Sequence, residues 1–211
     1  MVYPIGRMTV LPIYELWLRK VEGSENIPGQ KPFIVASNHA SLYDGILLYC
    51  VLIPKINKNI HALVNSAYWD AFITRAIVKW GKAIPVFVGE EKNSKKNKES
   101  FEKAINYLKK GEIIAIFPEG KRSPDGKLQK AYTGMAKLAL KAKVPVLPVG
   151  IIDSHKVLPK GKSFPRLKRC EVKIGKPMEF KNKKYNEKTF EEVTRSIMKE
   201  IAKLISQKYN Y

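Results

Sequence analysis

The chain has 211 residues, 45% hydrophobic and 27% charged, which fits one globular domain with a sizeable core and excludes a disordered or low-complexity protein. Its net charge of +20 implies an anionic partner: nucleic acid, an anionic membrane surface or an acidic protein. Cys50 and Cys170 are too few and too far apart for a metal site or a disulfide framework, and read as buried free thiols in a reducing compartment.

Residues 8–21 can form a short amphipathic helix, with Thr9 as cap, Pro12 in the first turn, and Leu11, Tyr14, Leu18 and Val21 on one side. Such a helix either packs on the core or lies on lipid, where Trp17 would join Leu11, Tyr14 and Leu18 in the interface. Pro12 and Glu15 interrupt the apolar run, which is far short of the roughly 20 residues a bilayer span takes. It also lacks the small-residue cleavage pattern of a signal peptide. The expectation is a chain neither exported nor threaded through a membrane.

Gly23 to Lys31 is a turn, and Phe33 to Ala36 a buried strand. The polar cluster Ser37, Asn38, His39, Ala40, Ser41 follows as a loop, and Ile46 to Ile53 as a helix with Ser41 available as its N-cap. Further along, His61 to Val64 reads as a strand. Tyr68 to Trp80 reads as a helix with Trp69, Phe72, Ile73, Ile77 and Trp80 on its apolar side, and Ala83 to Val88 as the next strand. Glu90 to Glu99 is a charged, solvated loop; Phe101 to Leu108 is helical and stops at Gly111. Ile113 to Phe117, Val144 to Ile152 and Glu171 to Ile174 complete the strands, with helices over Tyr132 to Ala142 and Lys188 to Lys208. Strands alternating with helices predict an α/β fold: a single layered domain whose mostly buried central sheet is flanked by helices. The expected division is an N-terminal amphipathic segment over 1–22 and the main domain over 23–211.

Two stretches carry chemistry. His39 stands at a strand-to-helix turn, and Asp44 five residues on can bring its carboxylate back onto the imidazole. A carboxylate on one ring nitrogen sets the tautomer and leaves the other to take a proton, which is how a general base is built. The second stretch, Phe117-Pro-Glu-Gly-Lys-Arg-Ser-Pro-Asp-Gly126, leaves a buried strand where α/β folds place ligand loops. There Gly120 allows close backbone approach, Arg122 offers a planar fork for phosphate or carboxylate, and Glu119 can hold that fork or bind a substrate hydroxyl. A solvated turn with a surface ion pair is the plainer account of the same residues.

In this order and spacing the pieces resemble the lysophosphatidic acid acyltransferase family of glycerolipid acyltransferases, over roughly residues 20–178. The resemblance rests on Asn38-His-Ala-Ser-Leu-Tyr-Asp44, Phe117-Pro-Glu-Gly-Lys-Arg-Ser123 and Val144-Pro-Val-Leu-Pro-Val-Gly150. It implies a glycerolipid-acyltransferase-like fold with His39 and Asp44 as the catalytic dyad, and Glu119, Gly120, Lys121, Arg122 and Ser123 holding the acceptor. It implies transfer from an acyl thioester, acyl-CoA or acyl carrier protein, to a lysophospholipid hydroxyl, with no metal or redox cofactor. Backbone amides near Ser41 are the candidate oxyanion donors. The implied partners are a lysophospholipid, an acyl donor that includes the acidic carrier protein, and an anionic membrane surface on the cytoplasmic face, bound peripherally.

Two positions depart from the family pattern: Asn65 and Phe87 stand where Lys and Arg are usual, with Lys82, Lys92 or Lys121 as candidate replacements. Lysophosphatidate remains the leading acceptor, another lysolipid or a phosphate-free acceptor the alternative. A basic nucleic-acid-binding protein is the rival of another class; it accounts for the charge but not for the two blocks, and no nucleic-acid motif accompanies it.

Overall fold

The computed structural model describes residues 16–88, 95–162 and 164–211, together with Thr9 and Pro12. Its strands are β1 (Leu18–Glu22), β2 (Ile34–Ser37), β3 (Ile60–Asn65), β4 (Ile84–Val86), β5 (Ile113–Ile116), β6 (Val146–Ile152) and β7 (Cys170–Ile174). The helices are α1 (Tyr43–Leu52), α2 (Phe72–Trp80), α3 (Lys95–Lys109), α4 (Gly134–Ala142), the single turn α5 (Ser154–Val157) and α6 (Glu187–Leu204).

Among the described residues the strands form one seven-stranded sheet in the order β1-β7-β6-β2-β5-β3-β4. All neighbours run parallel except β6 and β7. This is the α/β layered domain the alternation predicts. The central strands β2 and β5 are almost continuously apolar because helices cover both faces of the sheet. On one face α1 buries Tyr43, Leu47, Leu48 and Leu52 against Phe33, Val35 and Val149. On the other, α3, α4 and α6 bury Ile105, Leu108, Met135, Leu138, Phe190, Ile197 and Ile201 against Ile34, Ile114 and Val146.

Pro148 lies in β6, which is internal rather than an edge strand. Its carbonyl accepts from the Gly175 amide (2.9 Å), so the side lacking an N–H faces the chain just beyond the end of β7, and the proline forgoes only the reciprocal bond of that terminal pair.

The structure differs from the sequence reading in three places. Leu18–Glu22 is a strand paired with β7, not the end of an amphipathic helix, so the last residues of the 1–22 segment belong to the sheet. Leu11 and Tyr14 of that helix lie outside the described residues. Lys95 to Glu99, read as solvated loop, is the start of α3, whose lysine-rich first turns project outward while Ser100, Ala104, Ile105 and Leu108 face the core. Finally, the apolar side of α2 is mostly not core: Phe72, Ile77 and Trp80 are exposed and, among the described side chains of α2, which do not include Ile73, Val78 alone is deeply buried.

Parallel strands place their carboxyl ends along one rim of the sheet. The loops after β2, β5, β3, β4 and β6 therefore share that rim with the start of β7 and, through the parallel β1–β7 pair, the start of β1.

Candidate active site

β2 ends at Ser37 and delivers Asn38 and His39 to the carboxyl rim, at the crevice where α/β sheets bind ligands. Asn38 is buried and closes both edges of its amide on β6, donating from Nδ2 to the Ile151 carbonyl (2.8 Å) and accepting at Oδ1 from the Ile151 amide (2.7 Å). That pair fixes where the next residue emerges. The His39 ring stacks on Phe117 at 4.0 Å between centroids and meets Asp44 through Nδ1 and Oδ2 at 2.8 Å. Asp44 is fully buried in the first turn of α1, and the same Oδ2 accepts from the Ala40 (2.7 Å) and Ser41 (2.8 Å) amides. The loop thus curls around one carboxylate oxygen. With Nδ1 held by Asp44, the imidazole is set to use Nε2 as its base. The side chain is 18% exposed, enough to meet a substrate.

Those bonds narrow one expectation. Of the backbone amides near Ser41 expected as oxyanion donors, those of Ala40 and Ser41 serve Asp44 and that of Tyr43 serves Ser41 Oγ. Ser41 is likewise structural: its Oγ accepts from the Tyr43 amide (3.1 Å) and donates to the Leu158 carbonyl (2.8 Å).

The loop after β5 arrives beside this turn and clamps His39 by its backbone. Glu119 is buried; its Oε1 accepts from the His39 amide (2.9 Å) and its Oε2 from the Gln129 amide (2.8 Å). Burial pushes its pKa up to about 7, against the two amide donors, which favour the charged form. The Ser123 amide donates to the His39 carbonyl (2.8 Å), and the buried Ser123 hydroxyl donates to Asp125 (3.0 Å). Each Glu119 oxygen thus holds a backbone amide, the Ser123 hydroxyl faces inward too, and each of the two residues bonds the backbone of His39. Gly120, at φ 67°, is required because a Cβ there would stand 2.8 Å from the Tyr132 ring. Of the block, the exposed Lys121 and half-buried Arg122 remain to meet a ligand; among the described residues neither makes an ion pair.

Asn65 ends β3 on the same rim, its Oδ1 accepting from the Ala67 amide (2.9 Å). Phe87, just past β4, is tied by its backbone amide (2.8 Å) and carbonyl (2.7 Å) to the Asn97 side chain of α3. Lys82 does not replace the missing cations, because it precedes β4 on the opposite rim and bonds Asn59 there (3.2 Å). Lys92 lies outside the described residues, and Lys121 is on the correct rim. A lysine that sequence reasoning did not single out, Lys96, places its ammonium 5.2 Å from the centre of the Phe87 ring. Asn38, Phe117 and Gln129 were also missed as members of the site. A polar Asn directly after a wholly buried strand was the available signal, since it must find partners in the core.

A strand-to-helix turn carrying a buried carboxylate on an accessible imidazole, held by the neighbouring strand's loop, has the geometry that base-assisted group transfer requires. Residues 18–152 match the model of the family described as Acyltransferase, and the chain belongs to that family. It is 29% identical over 211 residues to the probable 1-acyl-sn-glycerol-3-phosphate acyltransferase of Mycoplasma genitalium, covering 97% of this chain and 76% of that one. It is 27% identical over 153 residues to the chloroplastic 1-acyl-sn-glycerol-3-phosphate acyltransferase LPAT1 of Arabidopsis thaliana, covering 72% of this chain but only 40% of the plant protein. The chain thus spans about two fifths of the chloroplast relatives it matches. The crystal structure of the 1-acyl-sn-glycerophosphate (LPA) acyltransferase PlsC of Thermotoga maritima superposes with a TM-score of 0.67 at 27% identity, over 95% of this chain and 82% of that one.

Proposed function

We propose that the chain moves a fatty acyl group from an acyl thioester, acyl-CoA or acyl carrier protein, to the free hydroxyl of a lysophospholipid. The leading acceptor is 1-acylglycerol-3-phosphate, giving phosphatidic acid, at an anionic membrane surface to which the protein attaches peripherally. The observation that carries the reading is the 2.8 Å contact between His39 Nδ1 and the buried Asp44 Oδ2. His39 Nε2 takes the proton of the acceptor hydroxyl as its oxygen attacks the thioester carbonyl carbon. Asp44 stabilises the imidazolium that forms. The tetrahedral adduct collapses, the C–S bond breaks, and the imidazolium returns the proton to the departing thiolate. The substrate hydroxyl stands where a protein nucleophile would otherwise be, so no acyl-enzyme is formed.

Lys121 and Arg122 supply positive charge at the correct rim for the acceptor phosphate, and the relatives' names point to the same acceptor. The assay is thiol release from an acyl thioester. It is expected to require added lysolipid and to give one diacyl product per thiol. Thiol release indifferent to lysolipid, or none with any lysolipid tried, would overturn the proposal. Better use of a phosphate-free acceptor than of lysophosphatidate would overturn the acceptor alone.

A further inference from the structure

Between α5 and β7 the chain runs Leu158-Pro-Lys-Gly-Lys-Ser-Phe-Pro-Arg-Leu-Lys-Arg169, with cations at 160, 162, 166, 168 and 169 and no acidic residue. None of these five cations makes an ion pair among the described residues. Phe164 is 84% exposed and Leu167 98%, matched among the described large apolar side chains only by Phe72. On either side of residue 163 the described parts of the connection are shaped rather than slack. Gly161 at φ 84° closes a turn in which the Lys162 amide meets the Pro159 carbonyl (3.1 Å). Arg166 is pinned at both backbone ends, its amide to the Val157 carbonyl (2.7 Å) and its carbonyl to Trp17 Nε1 (3.0 Å).

Its place in the fold gives the loop a use. It joins the carboxyl end of β6 to the start of the antiparallel β7, so it lies on the rim that carries His39. Its first residue is bonded to the catalytic turn through Ser41 Oγ. Other exposed apolar side chains emerge on that rim as well: Leu16 before β1, Leu42 at the head of α1 and Phe72 after β3. A rim with apolar tips among unpaired cations matches the boundary of a bilayer, where ammonium and guanidinium groups meet lipid phosphates and the tips enter the acyl region.

We infer that loop 158–169 is the element that seats the catalytic rim on an anionic lipid surface, with Phe164 and Leu167 entering the bilayer and the surrounding cations holding the headgroups. This rests on the proposed lipid acceptor but assigns the contact to a place distinct from the N-terminal segment. An acidic carrier protein matches the charge of the loop but gives no reason for two apolar side chains held fully in solvent.

The test uses the full chain, Phe164→Ser/Leu167→Ser and Lys160→Ser/Lys162→Ser/Lys168→Ser, with far-UV circular dichroism and thermal unfolding confirming that each variant is folded. Partition onto phosphatidylglycerol/phosphatidylcholine vesicles is compared with pure phosphatidylcholine, and thiol release is measured with the lysolipid acceptor either bilayer-embedded or short-chain and monomeric. The apolar double variant is expected to partition at least about tenfold more weakly onto the anionic vesicles. The triple lysine variant should lose roughly a hundredfold at low salt and less as salt rises. Both should lose turnover on the embedded acceptor and keep it on the monomeric one. Unchanged partition in both variants would overturn the inference, as would a rise in KM for an acyl carrier protein donor with partition intact. Absence of thiol release from the wild type with either acceptor would sink the acyltransfer reading instead, and the partition measurements would still decide the loop.

Discussion

Two histidine–carboxylate pairs sit on this sheet, one at each rim, and they are held differently. At the carboxyl rim His39 offers Nδ1 to Asp44, and among the described residues nothing bonds its Nε2. At the opposite rim His61 is fully buried: Nε2 meets Glu112, Nδ1 meets the Lys82 carbonyl at 2.9 Å, and the ring stacks on Tyr107 at 3.6 Å. An imidazole bonded at both nitrogens and closed to water is a rivet between β3, β4 and β5. One bonded at a single nitrogen and open to the rim can exchange a proton. The pair alone does not mark a site; its spare nitrogen and its end of the sheet do.

The sharpest way to break this contrast is to remove each ring. His39→Ala should cut kcat/KM for acyl transfer by about 10²–10⁴-fold, the usual weight of a positioned general base, with little change in Tm. Asp44→Asn should also lower kcat, because it leaves the imidazolium without its counter-charge. His61→Ala should do the reverse, costing about 1–3 kcal/mol of stability by leaving buried polar groups unpaired while kcat holds. Near-normal turnover in His39→Ala, read as thiol release, would dissolve the distinction.

Next in size is the acceptor side of the active rim. Arg122→Ala should raise KM for lysophosphatidate roughly ten- to a hundredfold, since a charged hydrogen bond of about 1.5–3 kcal/mol is lost, and leave KM for the acyl donor nearly unchanged. An unchanged lysophosphatidate KM would remove the phosphate from Arg122.

Glu119→Gln separates bracing from binding. A carboxamide offers one acceptor where the His39 and Gln129 amides require two, so the loop loosens and kcat should fall about tenfold. Both KM values should hold. A raised acceptor KM with kcat intact would return Glu119 to the substrate.

These contacts are legible in the sequence to different degrees, and the reason is distance along the chain. His39 and Asp44 are five residues apart on one strand–turn–helix, so their meeting follows from local geometry. Glu119 stands 80 residues from the amide it holds, and nothing in its own block shows that it turns inward. β1 reads as helix in the sequence because its partner strand lies some 150 residues on, and an edge strand that short has too few residues to show its period. Lys95 to Glu99 reads as loop in the sequence because lysines face outward on the first turns of α3 and hide its apolar stripe. The layered fold itself was legible, since buried parallel strands and amphipathic helices carry distinct periods.

The smallest expected effect is in the pH dependence of stability, and it sets the two rims against each other. Burial raises Glu119 to about 7 from an ordinary 4.5, so between those values the folded chain holds a proton that the unfolded chain releases. Ionisation therefore opposes folding in full above about pH 7, and this cost is relieved as pH falls toward 4.5. Glu112 moves the other way. Burial pushes it up, but the hydrogen bonds from Asn59 and His61 and the charge of Lys82 outweigh that and hold it below the usual carboxylate range. Its contribution is present above 4.5 and is lost as pH falls through the lower folded value. Thermal unfolding across pH 3.5 to 8 would be compared for wild type, Glu119→Gln and Glu112→Gln. The Tm difference between wild type and Glu119→Gln should grow in favour of wild type as pH drops from about 7 to 4.5. The difference for Glu112→Gln should stay flat over that span and shrink below it. Curves of the same slope would mean that the two carboxylates are held alike, and the inward-facing Glu119 would lose its distinction from the rivet at the far rim.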